Sequence, residues 1–123
     1  MQFNEQILEK NSNIIKSYTS SSVTVVDKKY NYNVIVPPEK SIVKCTINIK
    51  NINKESIAEK LTDNTNFVII ALNNTGCFDK TPIISELNGL GIGAEIMNIG
   101  SACSSHNILL AEKRNFLSFF LFE

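Results

Sequence analysis

The run NFVIIAL, Asn66–Leu72, is continuously apolar and is closed by Asn73-Asn74-Thr75-Gly76. An alternating pattern would leave one face polar, so an unbroken run reads as a strand covered on both faces. Downstream, Thr81-Pro82 supplies a cap and a first-turn proline for a helix through Ile83–Leu87, ending near Gly89 or Gly91. Ile92–Met97 reads as a second strand, and Asn98-Ile99-Gly100 as a turn. Ser101 then caps a longer helix, Ala102–Arg114, before a closing apolar strand, Phe116–Phe122. Strands alternating with helices favour right-handed crossovers and a sheet covered by helices.

Upstream the period is two. Asn13–Tyr18, Ser22–Val26, Tyr30–Val36 and Ile42–Ile49 read as an antiparallel meander. Asp27-Lys28-Lys29 forms one turn, and Pro37-Pro38 stops the third strand. Asn53 or Ser56 opens a short helix over Lys54–Leu61, with Ile57 and Leu61 on one stripe. The fold class is therefore α/β: an early antiparallel meander followed by β-α-β-α-β, in a single domain over residues 1–123.

The chain has 123 residues, with 12 Lys+Arg against 12 Asp+Glu. That length suits one core, since two domains would each bury too little surface. Balanced charge argues against nucleic acid, which needs a basic face, and removes polybasic attraction to anionic lipid. No stretch reaches the roughly 20 apolar residues of a membrane-spanning helix. The start, MQFNEQILEKN, lacks the basic-then-apolar order of a secretory signal, so a cytoplasmic location is expected. Cys45, Cys77 and Cys103 show no CxxC spacing and are expected to be reduced, most of them buried as small apolar residues. Lysine supplies every cation except Arg114, so the lone guanidinium suits a place that needs planar, forked donors.

In open α/β sheets ligands bind at the carboxyl ends of strands, where helix N-termini also arrive. The loop after Leu72 and the loop after Met97 both leave there. Asn73, Asn74, Gly76, Asn98, Gly100 and Ser101 are thus expected to line one crevice, with Cys103, Ser104, His106 and Asn107 on the helix beside it. Gly76 and Gly100 let backbone approach a ligand, although on spacing alone turn formation is the commoner role. GLGIG, Gly89–Gly93, is not a dinucleotide fingerprint, because it precedes a strand instead of following one into a helix. Cys103 and His106 lie one turn apart, a spacing compatible with an activated thiol, against the commoner role of such a Cys as inert packing. No spacing supports a metal site from Cys77, Cys103 and His106, and no cofactor is implied. Asn107 is expected to bond the loop backbone. Glu95, inside an apolar strand, needs a partner if buried, and Arg114 is the expected one.

The segment EIMNIGSACSSHNILLAEKR, Glu95–Arg114, resembles the signature of a small domain family of unknown function. Its members include the third-named assembly factor of mitochondrial complex I, an adipogenesis-associated protein and an archaeal structural-genomics prototype. The family pattern is approximately E-hydrophobic-M-D-T-x-A-A-C-R-T-Y-N-x-L-x-x-E-G-R. Glu95, Met97, Ala102, Cys103, Asn107, Leu109, Glu112 and Arg114 match it. Ser104, Ser105 and His106 stand where the pattern has Arg, Thr and Tyr; Asn98 and Ile99 replace its Asp and Thr. Leu72-Asn73-Asn74 replaces its glycine-rich turn. The resemblance implies a three-layer β/α sandwich around a mixed central sheet, with no established catalytic activity. The leading functional expectation is a non-enzymatic interaction or assembly domain whose partner is another protein. Two others are a small-ligand-binding domain or enzyme using the crevice near Cys103, and a domain whose original function has drifted away.

Overall fold

The computed structural model describes residues 12–73, 79 and 81–122. In chain order its elements are β1 (Ile15–Thr19), β2 (Ser22–Val25), β3 (Lys28–Tyr30), β4 (Val34–Val36), β5 (Val43–Lys44) and α1 (Lys54–Ala58). They continue with β6 (Phe67–Leu72), α2 (Thr81–Gly89), β7 (Gly93–Asn98), α3 (Ile99–Ala111) and β8 (Phe116–Leu121).

The central sheet has the order β5-β4-β8-β6-β7, and β1-β2-β3 forms a second, antiparallel sheet. Strand β6 is parallel to both neighbours, whereas β4 runs antiparallel to β5 and β8, so the central sheet is mixed. Period-two alternation distributes β6 and β8 between two cores. Ile69, Ala71, Phe116 and Phe120 face Ile15, Val23, Val25, Ala102 and Leu110, beneath α3 and the three-stranded sheet. Val68, Ile70, Leu72, Leu117, Phe119 and Leu121 face Ile57, Ile83 and Leu87 beneath α1 and α2. Both runs are apolar, apart from the buried Ser118 in β8, because neither face reaches water. The three layers are thus two helices, the mixed sheet, and a mixed layer of α3 with the small sheet.

Several local expectations are corrected. Tyr30–Val36 is two strands in different sheets, separated at residues 31–33. The turn before it falls at Val26-Asp27, not Asp27–Lys29, and Lys28 and Lys29 join β3. Ile42–Ile49 forms only the two-residue β5. Its alternation is real in burial, with Cys45 and Ile47 inside and Thr46 exposed. Asn33 supplies the bonds instead of a ladder: its carbonyl accepts from the Cys45 N–H at 2.8 Å, and its side-chain amide donates to the Ile47 carbonyl at 3.2 Å. Helix α1 stops at Ala58, short of Leu61. Asn53 caps it through a capping box with Ser56, and Ser56 is not itself the cap.

The β2–β3 hairpin carries a strained residue. Val26 has φ 57°, a conformation that a β-branched side chain adopts only under constraint. The β1–β2 pairing holds it there: the Val26 N–H donates to the Ile14 carbonyl at 2.8 Å, one step beyond the Ile15–Val25 pair. A two-residue hairpin of this hand prefers glycine at its first position. Val26→Gly is therefore expected to raise stability by about 1 kcal/mol, after the extra chain entropy of glycine is deducted. Chemical denaturation measures this; a lower midpoint for Val26→Gly than for the parent contradicts it.

Candidate functional site

Strands β6 and β7 pair in parallel up to Leu72 and Asn98, so the segment after each leaves at the same sheet edge. Asn98, not Ser101, caps α3: its Oδ1 accepts from the Ser101 N–H at 2.9 Å. Gly100 and Ser101 accordingly lie inside the first turn. The tip of the β1–β2 hairpin covers this edge. A methyl group at Gly100 would lie 2.6 Å from the Tyr18 hydroxyl, so a side chain there would displace that half-exposed ring from the helix start. Asn73 Nδ2 donates to the Ser20 carbonyl at 3.3 Å and to the Phe122 carbonyl at 2.8 Å. Asn74, Gly76 and Cys77 lie outside the described residues. The sequence pattern gave no sign that the hairpin would sit here, because that contact joins segments about eighty residues apart.

The helix residues divide by face. Ser101 and Ser104 are exposed, whereas Cys103 and His106 are buried. The His106 ring is fully enclosed, with Ser118 Oγ 2.8 Å from Nδ1 and the Asn13 carbonyl 2.8 Å from Nε2. A carbonyl can only accept, so Nε2 carries the proton and Nδ1 accepts from the Ser118 hydroxyl. Burial pushes the imidazole pKa down to about 4, against a smaller opposite effect of the Asn13 carbonyl. Burial likewise pushes the Cys103 thiol up to about 12. Both imidazole nitrogens are committed elsewhere, so Cys103 and His106 do not form an activated thiol–base pair. Ser118 reaches His106 because strand alternation puts it on the same face as Phe116 and Phe120.

Asn107 bonds backbone, but that of strand β1 and not of the loops it was expected to hold. Its Oδ1 accepts from the Ile15 N–H and its Nδ2 donates to the Ile15 carbonyl, each at 2.9 Å. The side-chain amide thereby acts as one more peptide group beside β1. Asn13 continues the chain from His106: its amide donates to the carbonyls of Pro37 and Lys40, each at 2.9 Å.

The expected Glu95–Arg114 pair is not formed. Strand β7 is the edge of the sheet, and Glu95 is exposed, with no partner among the described residues. Arg114 lies 3.5 Å from Glu112 instead, both about half exposed. Its neighbourhood is nevertheless distinctive. At the opposite end of the sheet, where β6 and β8 begin, a cavity of about 260 Å³ is lined by Lys40, Lys113, Arg114 and Phe116, among others. The reading of a crevice at the carboxyl ends did not include this cavity. The lone arginine was its one legible signal.

Comparison with known proteins follows the architecture. A crystal structure of a Bordetella parapertussis protein superposes with TM-score 0.76 at 19% identity, covering 91% of this chain and 97% of that one. A Xanthomonas campestris protein solved by NMR gives 0.72 at 18% identity, over 88% and 83% of the two chains. A Bordetella pertussis protein described as an Mth938-like domain gives 0.70 at 16% identity, over 98% and 92%. At such identities the likeness establishes the fold, a mixed open sheet with helices. No curated protein matches the chain significantly. A family model described as protein of unknown function (DUF498/DUF598) matches residues 15–121, nearly the whole chain from β1 to the end of β8, and the protein belongs to that family.

Proposed function

We propose that this protein is a non-enzymatic interaction domain that receives an extended segment of a partner protein along the outer edge of β7. The observation that carries this reading is the shape of that edge. Strand β7 has six residues and pairs only with β6 among the described residues, while the opposite edge, β5, has two. The Gly93 N–H points inward to the Asn66 carbonyl at 2.9 Å. Backbone direction alternates along a strand, so the amides and carbonyls of Ala94 and Ile96 point outward. Such a row is a template for strand addition, with main-chain bonds giving affinity. Glu95, exposed on the same strand, discourages pairing with a second identical edge and favours a partner that brings a cation. The resemblance of Glu95–Arg114 to the complex I assembly-factor family supports an assembly role. Reading the protein as an enzyme with Cys103 as nucleophile is disfavoured by the buried, protonated thiol.

The test places a photo-crosslinking residue at Glu95 and, as control, at Val43 on β5. A partner captured repeatedly at position 95 and not at position 43 is the expected result. Equal capture at both positions, or no capture at 95 in repeated native lysates, would remove the reading.

A further inference from the structure

The two faces of strand β7 are finished differently. Ala94 and Ile96 point to the side where α2 packs; Ile96 is buried there, and Ile92 and Ala94 are partly buried against the apolar cluster beneath α1 and α2. Gly93, Glu95 and Met97 point to the other side. The register sets them beside Phe67, Ile69 and Ala71 of β6. Ile69 and Ala71 are fully buried beneath α3 and the small sheet, whereas Glu95 is exposed and Phe67 and Met97 are only partly buried. The covering layer therefore stops short of β7 on this side.

The uncovered corner holds two groups of matched chemistry. Gly93 has no side chain, and the Phe67 ring lies across it: a methyl group there would stand 2.7 Å from ring carbon Cδ1 and 3.2 Å from Cε1. A ring laid over an edge glycine is one way a sheet covers its own backbone, which is the simplest structural reason for the arrangement. That reason does not extend to Glu95, two residues along the same face and so roughly 6.5 Å further on. Among the described residues no ion pair involves it. A carboxylate beside an aromatic ring selects among cations. A guanidinium is planar, so it lies on a ring and still directs two N–H groups at a carboxylate; the ammonium of lysine is a compact, strongly hydrated point charge.

We propose that the segment received along β7 carries an arginine on the side of Glu95, its guanidinium paired with that carboxylate and laid against the Phe67 ring. This rests on β7 being a strand-accepting edge and adds the chemistry of what is accepted. Alternation supplies the rest of the pattern. In an extended segment the residues before and after the arginine turn to the opposite side, where Ile92 and Ala94 are still partly open, so both are apolar. Main-chain bonds to Ala94 and Ile96 are indifferent to sequence; the apolar-Arg-apolar pattern gives the choice of partner.

The test is amide NMR of the isotope-labelled chain, titrated with acetylated and amidated pentapeptides Thr-Val-X-Val-Thr in which X is arginine, lysine, norleucine or glutamate. The arginine peptide is expected to shift the Ala94 and Ile96 amides along a saturable curve and to bind about fivefold more tightly than the norleucine peptide. Lysine should fall between them, and glutamate should be weakest. Glu95→Gln should remove the advantage of lysine over norleucine and reduce that of arginine. Phe67→Leu should narrow the gap between arginine and lysine and leave that between lysine and norleucine. Thermal unfolding of both variants checks that they remain folded. Saturable shifts at Ala94 and Ile96 with equal affinity for all four peptides would overturn the arginine and leave the accepting edge standing. A preference for arginine that survives both substitutions unchanged would overturn its placement between Glu95 and Phe67. No saturable shift at Ala94 and Ile96 with any peptide at millimolar concentration would remove the accepting edge, and this inference with it.

Discussion

His106→Ala is expected to cost about 4 kcal/mol of folding stability, more than any surface substitution in the chain. The replacement leaves a ring-sized void against Phe116, whose ring meets the imidazole edge-on at 5.0 Å between centroids. It also strands the Ser118 hydroxyl and the Asn13 carbonyl in an apolar layer, at about 1–3 kcal/mol for each group left unpaired. His106→Gln, with an amide donor for Asn13 and a carbonyl acceptor for Ser118, should recover part of the loss. The same residue fixes the acid limit of the fold. Its pKa falls from 6.5 in the unfolded chain to about 4 in the native one. Between those values the unfolded state binds the extra proton, so protonation favours unfolding as the pH drops. The contribution is fully present above pH 6.5 and is lost progressively toward pH 4, amounting to roughly 3 kcal/mol. His106 is the sole histidine, and carboxylates titrate mainly below pH 5, so the slope between pH 6.5 and 5 reports on it alone. Denaturant melts across this range should show that slope in the parent and not in His106→Gln. An unchanged slope in the variant would exclude His106 as its source.

Asn107→Ala is expected to cost about 2–4 kcal/mol, from the N–H and carbonyl of Ile15 left without partners beside the core. The effect should be regional as well as global. Asn107 joins α3 to β1 at a register irregularity between Ile15 and Ser17, where no neighbouring strand takes up those two groups. Its loss weakens the attachment of the three-stranded sheet while β6 and β8 keep their ladders. Amide hydrogen exchange should therefore accelerate first in β1–β3. Asn107→Asp keeps the acceptor but sets a carboxylate against the Ile15 carbonyl, so it should fall between parent and alanine. Uniform acceleration across both sheets, or parent-like stability, would show that the amide is not the clasp.

The β-α-β-α-β half was legible in the sequence because two of its strands, β6 and β8, are covered on both faces. Burial on two sides requires apolar runs such as Phe67–Leu72 and Phe116–Leu121, the second interrupted only by Ser118, and these stand out without tertiary information. The early half was less so. Tyr30–Val36 is apolar enough for one strand, yet its two ends pair in different sheets, and sheet membership depends on partners remote in sequence. Ile42–Ile49 shows alternating burial, but Asn33 satisfies its backbone in place of a strand, and a side-chain substitute leaves no periodic signal.

The candidate sites follow the same division. Sequence order placed Asn73 and Asn98 at one sheet edge, because parallel strands joined by helices must both end there. It did not show that Tyr18 and Ser20 close that edge, nor that Glu95 lies on an outer strand. The apolar neighbours of Glu95 are the same for an edge as for a centre. Only strand order distinguishes them, and strand order is a property of long-range pairing.

By itself the sequence determined an α/β fold, the apolar strands of its central sheet, the helix that follows Asn98 and the membership of Cys103, His106 and Asn107 in that helix. These follow from residue type and local period, which act over one or two turns of chain. The tertiary structure alone decided what those residues do. It enclosed His106 between Ser118 and Asn13, turned Asn107 into a partner for Ile15, opened the edge of β7 and gathered Lys40 with Arg114 around one cavity. Each of these depends on bringing together groups far apart in the chain, where burial and hydrogen-bond satisfaction, not local preference, set the energy.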